Sequence, residues 1–157
     1  MTFEMKPIAL VPTARHRPED DYWGGEQSCI TLAPEFPPHA LAGLDAFSHV
    51  EVVFVFHVVE PSKIITGVRR PRDNPNWPVV GIFAQRGKNR PNRIGCTICP
   101  IERVTDRMLY VRDLDAIDET PVLDLKPVML EFLPRSRVEQ PAWESELMQH
   151  YWSAAAK

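Results

Sequence analysis

His49-Val50-Glu51-Val52-Val53-Phe54-Val55-Phe56-His57-Val58-Val59 is the longest β signal in the chain. Branched and aromatic side chains dominate it, the kinds that fit a pleated, half-buried surface. It is apolar on both faces toward its end, which predicts a central strand rather than an edge. His49 and His57 share a face by parity, but eight residues of strand set them roughly 26 Å apart, too far to hold one metal.

Outward from this run, Lys6 to Val11 and Glu26 to Ala33 read as earlier strands, and Pro38 to Phe47 as a short helix interrupted by Gly43. Downstream, strands are expected at Val79–Ala84, Ile94–Val104 and Arg107–Leu114, the last two joined by a Thr105-Asp106 turn. Pro121 to Phe132 is one more extended run, broken at Pro127. About seven strands without strand–helix–strand alternation predict a mainly β fold, a single sheet closed into a barrel with short helices. Pro141 to Trp152 reads as a C-terminal helix with proline in its first turn. Trp143, Leu147 and Tyr151 recur every four residues, an apolar stripe suited to packing. The chain divides into a barrel domain, 1–134, and a linker plus helix, 135–157, packing on the barrel or on a partner subunit.

At 157 residues, 44% apolar and 25% charged, the composition is that of one ordinary globular domain. No run of 18 apolar residues occurs, so no membrane helix is expected. The N-terminal region carries Glu4, Arg15, Arg17, Glu19, Asp20 and Asp21 without an apolar signal core, so a cytoplasmic location is expected. Three cysteines do not form an even disulfide set. Cys96-Thr97-Ile98-Cys99 lies in a β run, where residues three apart point to opposite faces, so no metal is expected there. The net charge is −3, yet Thr66 to Arg93 carries +6 and the remainder −9. A local basic face on an acidic body steers a polyanion to one place.

The centre of that basic segment is Gly81-Ile82-Phe83-Ala84-Gln85-Arg86-Gly87-Lys88-Asn89-Arg90-Pro91-Asn92-Arg93-Ile94-Gly95. It reads either as a solvated hairpin tip or as an anion site, and four cations crowded on one turn favour the second. This run is similar to the G-V-F-A-T-R-S-x-x-R-P-N-P-I-G signature of the TrmO/YaeB (TsaA-like) family of S-adenosylmethionine-dependent tRNA methyltransferases. Two further stretches match in the same order, Gly43–His49 leading into Phe54–His57, and Leu114–Pro127. Together the resemblance covers about residues 6 to 133.

The resemblance implies a β-barrel enzyme that takes S-adenosylmethionine as cofactor. The implied reaction is methylation of N6 of threonylcarbamoyladenosine beside the tRNA anticodon. It implies a homodimer with a tRNA anticodon loop as partner. By matching position, His57, Val58, Arg86, Cys96, Arg112, Asp113, Leu114 and Asp115 hold the cofactor. Arg86 takes its carboxylate or ribose side. Asp113 and Asp115 face ribose hydroxyls or sulfonium, or else close a strand-end turn. Arg69, Arg90, Asn92 and Arg93 hold phosphates or the threonyl carboxylate, and Asp118 is the candidate proton acceptor. Gln85, Gly87, Arg93 and Glu119 depart from the family's usual Thr, Ser, Pro and Gly. Longer members carry a C-terminal domain, and this chain reads as a short form. Three alternatives stay open: the same cofactor with another acceptor, a non-catalytic sensor barrel, and an RNA-binding barrel without cofactor.

Overall fold

The computed structural model describes residues 1–154. Its strands are β1 (Ala9–Val11), β2 (Gln27–Leu32), β3 (His49–Val55), β4 (Val68–Arg69), β5 (Val80–Gly81), β6 (Ile94–Val104), β7 (Met108–Arg112) and β8 (Thr120–Pro127). Six of them close into an antiparallel barrel in the order β1-β2-β7-β6-β3-β8, while β4 and β5 pair separately. The mainly β barrel expected from the sequence is the fold observed. Closure leaves β3 no free edge, because it pairs with β6 on one side and β8 on the other.

The alternation along β3 shows how the interior fills. Val50, Val52 and Phe54 point inward and are fully buried, while Glu51, Val53 and Val55 face out. Ile30, Leu109, Val111, Val122 and Cys99 join them, so the lumen is packed with side chains. A six-stranded barrel of this width leaves no room inside for a ligand, and any site must lie on its outer surface or rim. Gly95 faces Phe54 across the β3–β6 ladder, and a Cβ there would stand 2.5 Å from the phenyl ring. Glycine at the end of the signature is therefore a packing requirement. Its counterpart Gly81, with φ −62° and open space around it, has no such constraint.

Several expected elements are shorter than the sequence suggested. The Pro38–Phe47 helix is two 3-10 turns, Pro38–Leu41 and Leu44–Ala46, separated by Gly43 in the left-handed region at φ 84°. The Val79–Ala84 strand divides into β5 and a 3-10 turn at Ile82–Ala84. The extended run from Pro121 ends as a strand at Pro127 and turns at Leu130–Phe132. The C-terminal helix, α1, spans only Ala142–Leu147. Residues 155–157 of the expected second unit lie outside the described residues.

Cys96 is half-buried on the outer face of β6 and Cys99 is fully buried inside, the opposite orientation their spacing predicts. Among the described residues, no helix is long and apolar enough to cross a membrane.

Candidate functional site

A cleft of about 1280 Å³ runs along the outer wall of β3 and β6 and over the turn at Asp115–Ile117. Its second wall is the signature loop with the 69–73 turn. Its third is the C-terminal segment, from Glu139 to Trp152.

The signature wall is positive because Arg86 and Arg90, which line it, rest on carbonyls rather than on acids, as does Arg93 behind it. Arg86 donates to Cys96 O at 2.5 Å, Arg90 to Gln85 O at 3.1 Å and Arg93 to Val59 O at 3.0 Å. A carbonyl orients a guanidinium without cancelling its charge. None of the three forms a salt bridge among the described residues. Arg72 differs, since both its terminal nitrogens are held by the Asp21 carboxylate, at 2.8 and 2.9 Å. Gln85 fixes the base of the loop, its amide reaching the carbonyls of Arg69 and Val80 at 3.3 and 3.2 Å.

Across the cleft the chemistry is acidic. Both oxygens of Asp115 are engaged, Oδ1 by the Thr97 hydroxyl and Oδ2 by the Tyr151 hydroxyl. Burial, then the Asp115 charge, push the Tyr151 phenol far up, so it remains a donor. Cys96 Sγ donates to Glu51 Oε1 at 2.7 Å. Burial and that contact raise its thiol to about 11, which keeps it protonated and unreactive at neutral pH. Burial also raises the Glu144 carboxyl on α1, and the Arg86 charge opposes that rise.

Strained backbone gathers around this cleft. Arg72 and Asp73 line it in the left-handed region, at φ 47° and 54°, and Arg93, Asp113 and Glu119 beside it have φ 53°, 60° and 60°. Such residues cost about 1 kcal/mol or more each and concentrate where function constrains the chain. Glu119, in the Leu114–Pro127 stretch, stands where the resembling family usually has glycine, and its φ shows why glycine suits that position.

Of the residues singled out from the sequence, His57, Val58, Arg69, Arg86, Arg90, Asn92, Cys96 and Asp115 line the cleft together. The others lie elsewhere. Leu114 is core, 3% exposed. Arg112 is paired with Glu102 and donates to Gly25 O at 3.1 Å. Asp113 accepts from Gly25 N at 2.6 Å and so serves the strand-end turn. Arg93 spans from its own turn to Val59, buttressing the loop from behind. The expected proton acceptor, Asp118, accepts from Thr13 N at 3.0 Å and faces His16 at 3.4 Å, off the cleft.

The C-terminal stripe, expected to serve packing alone, is also a wall of the cleft. Trp143, Leu147 and Tyr151 all line the cleft, although α1 ends at Leu147 and Tyr151 lies beyond it. Their fourfold spacing was legible; the surface they meet was not, because it is made by residues far away in sequence. Trp23 is buried against Arg15, whose guanidinium lies 3.6 Å from its ring centre, and it also reaches the cleft.

A sequence profile of the tRNA-methyltransferase O N-terminal domain matches residues 14–132. A human tRNA (adenine(37)-N6)-methyltransferase is 39% identical over 105 residues, covering 67% of this chain but 23% of that protein. A probable S-adenosyl-L-methionine-binding protein of Methanothermobacter thermautotrophicus is 32% identical over 132 residues, covering 81% of this chain and 90% of the relative. The crystal structure of a Pseudomonas TrmO superposes with a TM-score of 0.73 at 25% identity, over 92% of this chain and 62% of that one. The chain thus spans about a quarter of the human relative and nearly all of the archaeal one. With the signature loop, the barrel and the extent of the profile match in agreement, the chain belongs to the tRNA-methyltransferase O N-terminal domain family.

Proposed function

We propose that this chain binds S-adenosylmethionine in the cleft and methylates N6 of the adenine beside a tRNA anticodon, with threonylcarbamoyladenosine as the base acted on. One observation carries this reading. An arginine with uncancelled charge, Arg86, lines the same cleft as an oriented carboxylate, Asp115.

The donor set fits the cofactor's separate demands. Arg86 suits the methionyl carboxylate, since a guanidinium fork matches two oxygens. Glu51 and Asp115 offer oxygens to ribose hydroxyls or to a sulfonium. Phe56 and Val58 offer the apolar surface that a purine requires. When bound, S-adenosylmethionine supplies an electrophilic methyl group on a positively charged sulfur.

The protein's own part is placement and exclusion of water. Trp143 and Met148 cover the cleft on one side, and Arg69, Arg90 and Asn92 stand on the other, where phosphates or a threonyl carboxylate would be held. An anticodon-loop base is already single-stranded, so presenting it costs little. Its N6 proton is released to water, because Asp118 is committed to the Thr13 turn. The same reading includes a second copy of the chain and a cytoplasmic location.

Methyl transfer to anticodon stem-loops with and without the threonylcarbamoyl group tests the proposal. Transfer to the modified loop alone is expected. Transfer to the unmodified loop alone would reassign the acceptor. A second reading, a cofactor-binding sensor, is favoured by the archaeal relative named only for S-adenosylmethionine binding. Tight cofactor binding with no transfer to any RNA would select it.

A further inference from the structure

The profile match stops at residue 132, yet a whole wall of the cleft lies beyond it. That wall is fastened at a specific place. Tyr22 N donates to His150 O at 3.1 Å and Trp23 N to Tyr151 O at 2.8 Å, and Gly24 pairs in parallel with Ala154. A Cβ on Gly24 would lie 1.9 Å from Trp152 O, so the strand-like contact depends on glycine there. Trp77 Nε1 donates to Glu146 Oε2 at 3.1 Å and ties α1 to the connection between β4 and β5. These attachments deliver one polar side chain to the acidic side of the cleft, the Tyr151 phenol, onto Asp115 Oδ2.

We infer that Tyr151 is a positioning residue: delivered by the C-terminal segment, it fixes the Asp115 carboxylate in the orientation that receives the cofactor's hydroxyl groups. An aspartate at a turn rotates about χ2, a broad torsion. Two donors from different parts of the chain, Thr97 on β6 and Tyr151, remove that freedom, and each oxygen keeps a further lone pair for a guest. The phenol's raised pKa keeps it a donor throughout the working range. The inference rests on the cofactor reading above and deepens it, since it assigns the segment after the matched domain a share in the site.

Calorimetric binding of S-adenosylhomocysteine to the full chain tests it in a double-mutant cycle with Tyr151→Phe and Asp115→Asn. Tyr151→Phe is expected to weaken binding about tenfold, the size of a lost hydrogen bond to a charged group. In the Asp115→Asn background the same change is expected to have no further effect. The melting temperature without ligand, measured alongside, identifies a variant that has lost its fold, and Tyr151→Trp, which keeps a donor, then serves as the second variant, expected to bind more tightly than Asp115→Asn. Additive losses in the cycle would overturn the inference, as would unchanged binding by Tyr151→Phe. Tighter binding would overturn it too, because it would mean that the phenol competes with the guest. Failure of the wild type to bind is a different result, and it removes the cofactor reading itself.

Discussion

The barrel interior and the cleft outside it are built under opposite rules. Inside, every β3 residue facing the lumen is apolar and fully buried, and the strand follows a simple alternation. Outside, like charges crowd one loop, non-glycine residues sit at positive φ, and a carboxylate is held by hydroxyls from two distant segments. The interior is determined by neighbours on the same and adjacent strands. The cleft is determined by residues that meet only after the chain has folded. The comparison separates what maintains the fold from what the fold is for.

The largest effects are expected from the interior. Phe54→Ala should destabilise the protein by about 3 to 5 kcal/mol, measured by denaturant unfolding, since it empties a closed core. Gly95→Ala should cost about 1 to 3 kcal/mol, because its Cβ overlaps the Phe54 ring 2.5 Å away. Equal stability in either variant would break the claim that the lumen is tightly packed.

The cleft should behave in the reverse way. Arg86→Ala should leave unfolding within about 0.5 kcal/mol of the wild type, because the residue is exposed and bonded only to a carbonyl. Cofactor binding should nevertheless fall about tenfold or more with loss of a charge-assisted contact. Thermal shifts with S-adenosylmethionine, S-adenosylhomocysteine, ATP and NAD separate the two effects.

Glu119→Gly should stabilise by about 0.5 to 1 kcal/mol without changing cofactor affinity, since it relieves a left-handed residue outside the cleft. The smallest effect is chemical. In a variant with Cys96 as the sole cysteine, alkylation should be slow at pH 8 and rise as the pH approaches 11, because the half-buried thiol, bonded to Glu51, titrates high. Rapid alkylation at pH 8 would show that the Cys96–Glu51 contact does not hold. The folded thiol binds its proton more tightly than an unfolded one, so this group's contribution to stability should decline as pH rises from about 9 to about 11.

The same division explains what could be read from the sequence. β3, β6 and β7 were visible because their branched residues and turn boundaries are local signals, and closure into a barrel followed from having strands without crossover helices. The Val79–Ala84 run, expected as one strand, splits into a two-residue strand and a 3-10 turn, because a short apolar stretch fits either equally well. Arg86 and Arg90 stood out because nothing in packing calls for cations at that spacing. Asp118 stood out as a carboxylate in a matched turn; its partner in the fold, Thr13, lies 105 residues away, where no local signal reaches. Tyr151 was visible only as one position in an apolar stripe. Its hydroxyl, the part that reaches Asp115, carries no periodic signal.

The central claim is that the cleft outside the barrel holds S-adenosylmethionine between Arg86 and Asp115. A crystal structure of the full chain with S-adenosylhomocysteine tests it most directly. The account predicts the ligand's carboxylate against Arg86 and its ribose against Asp115, with Tyr151 still bonded to that aspartate. Ligand density anywhere else on the barrel, or an empty cleft at saturating ligand, would contradict it.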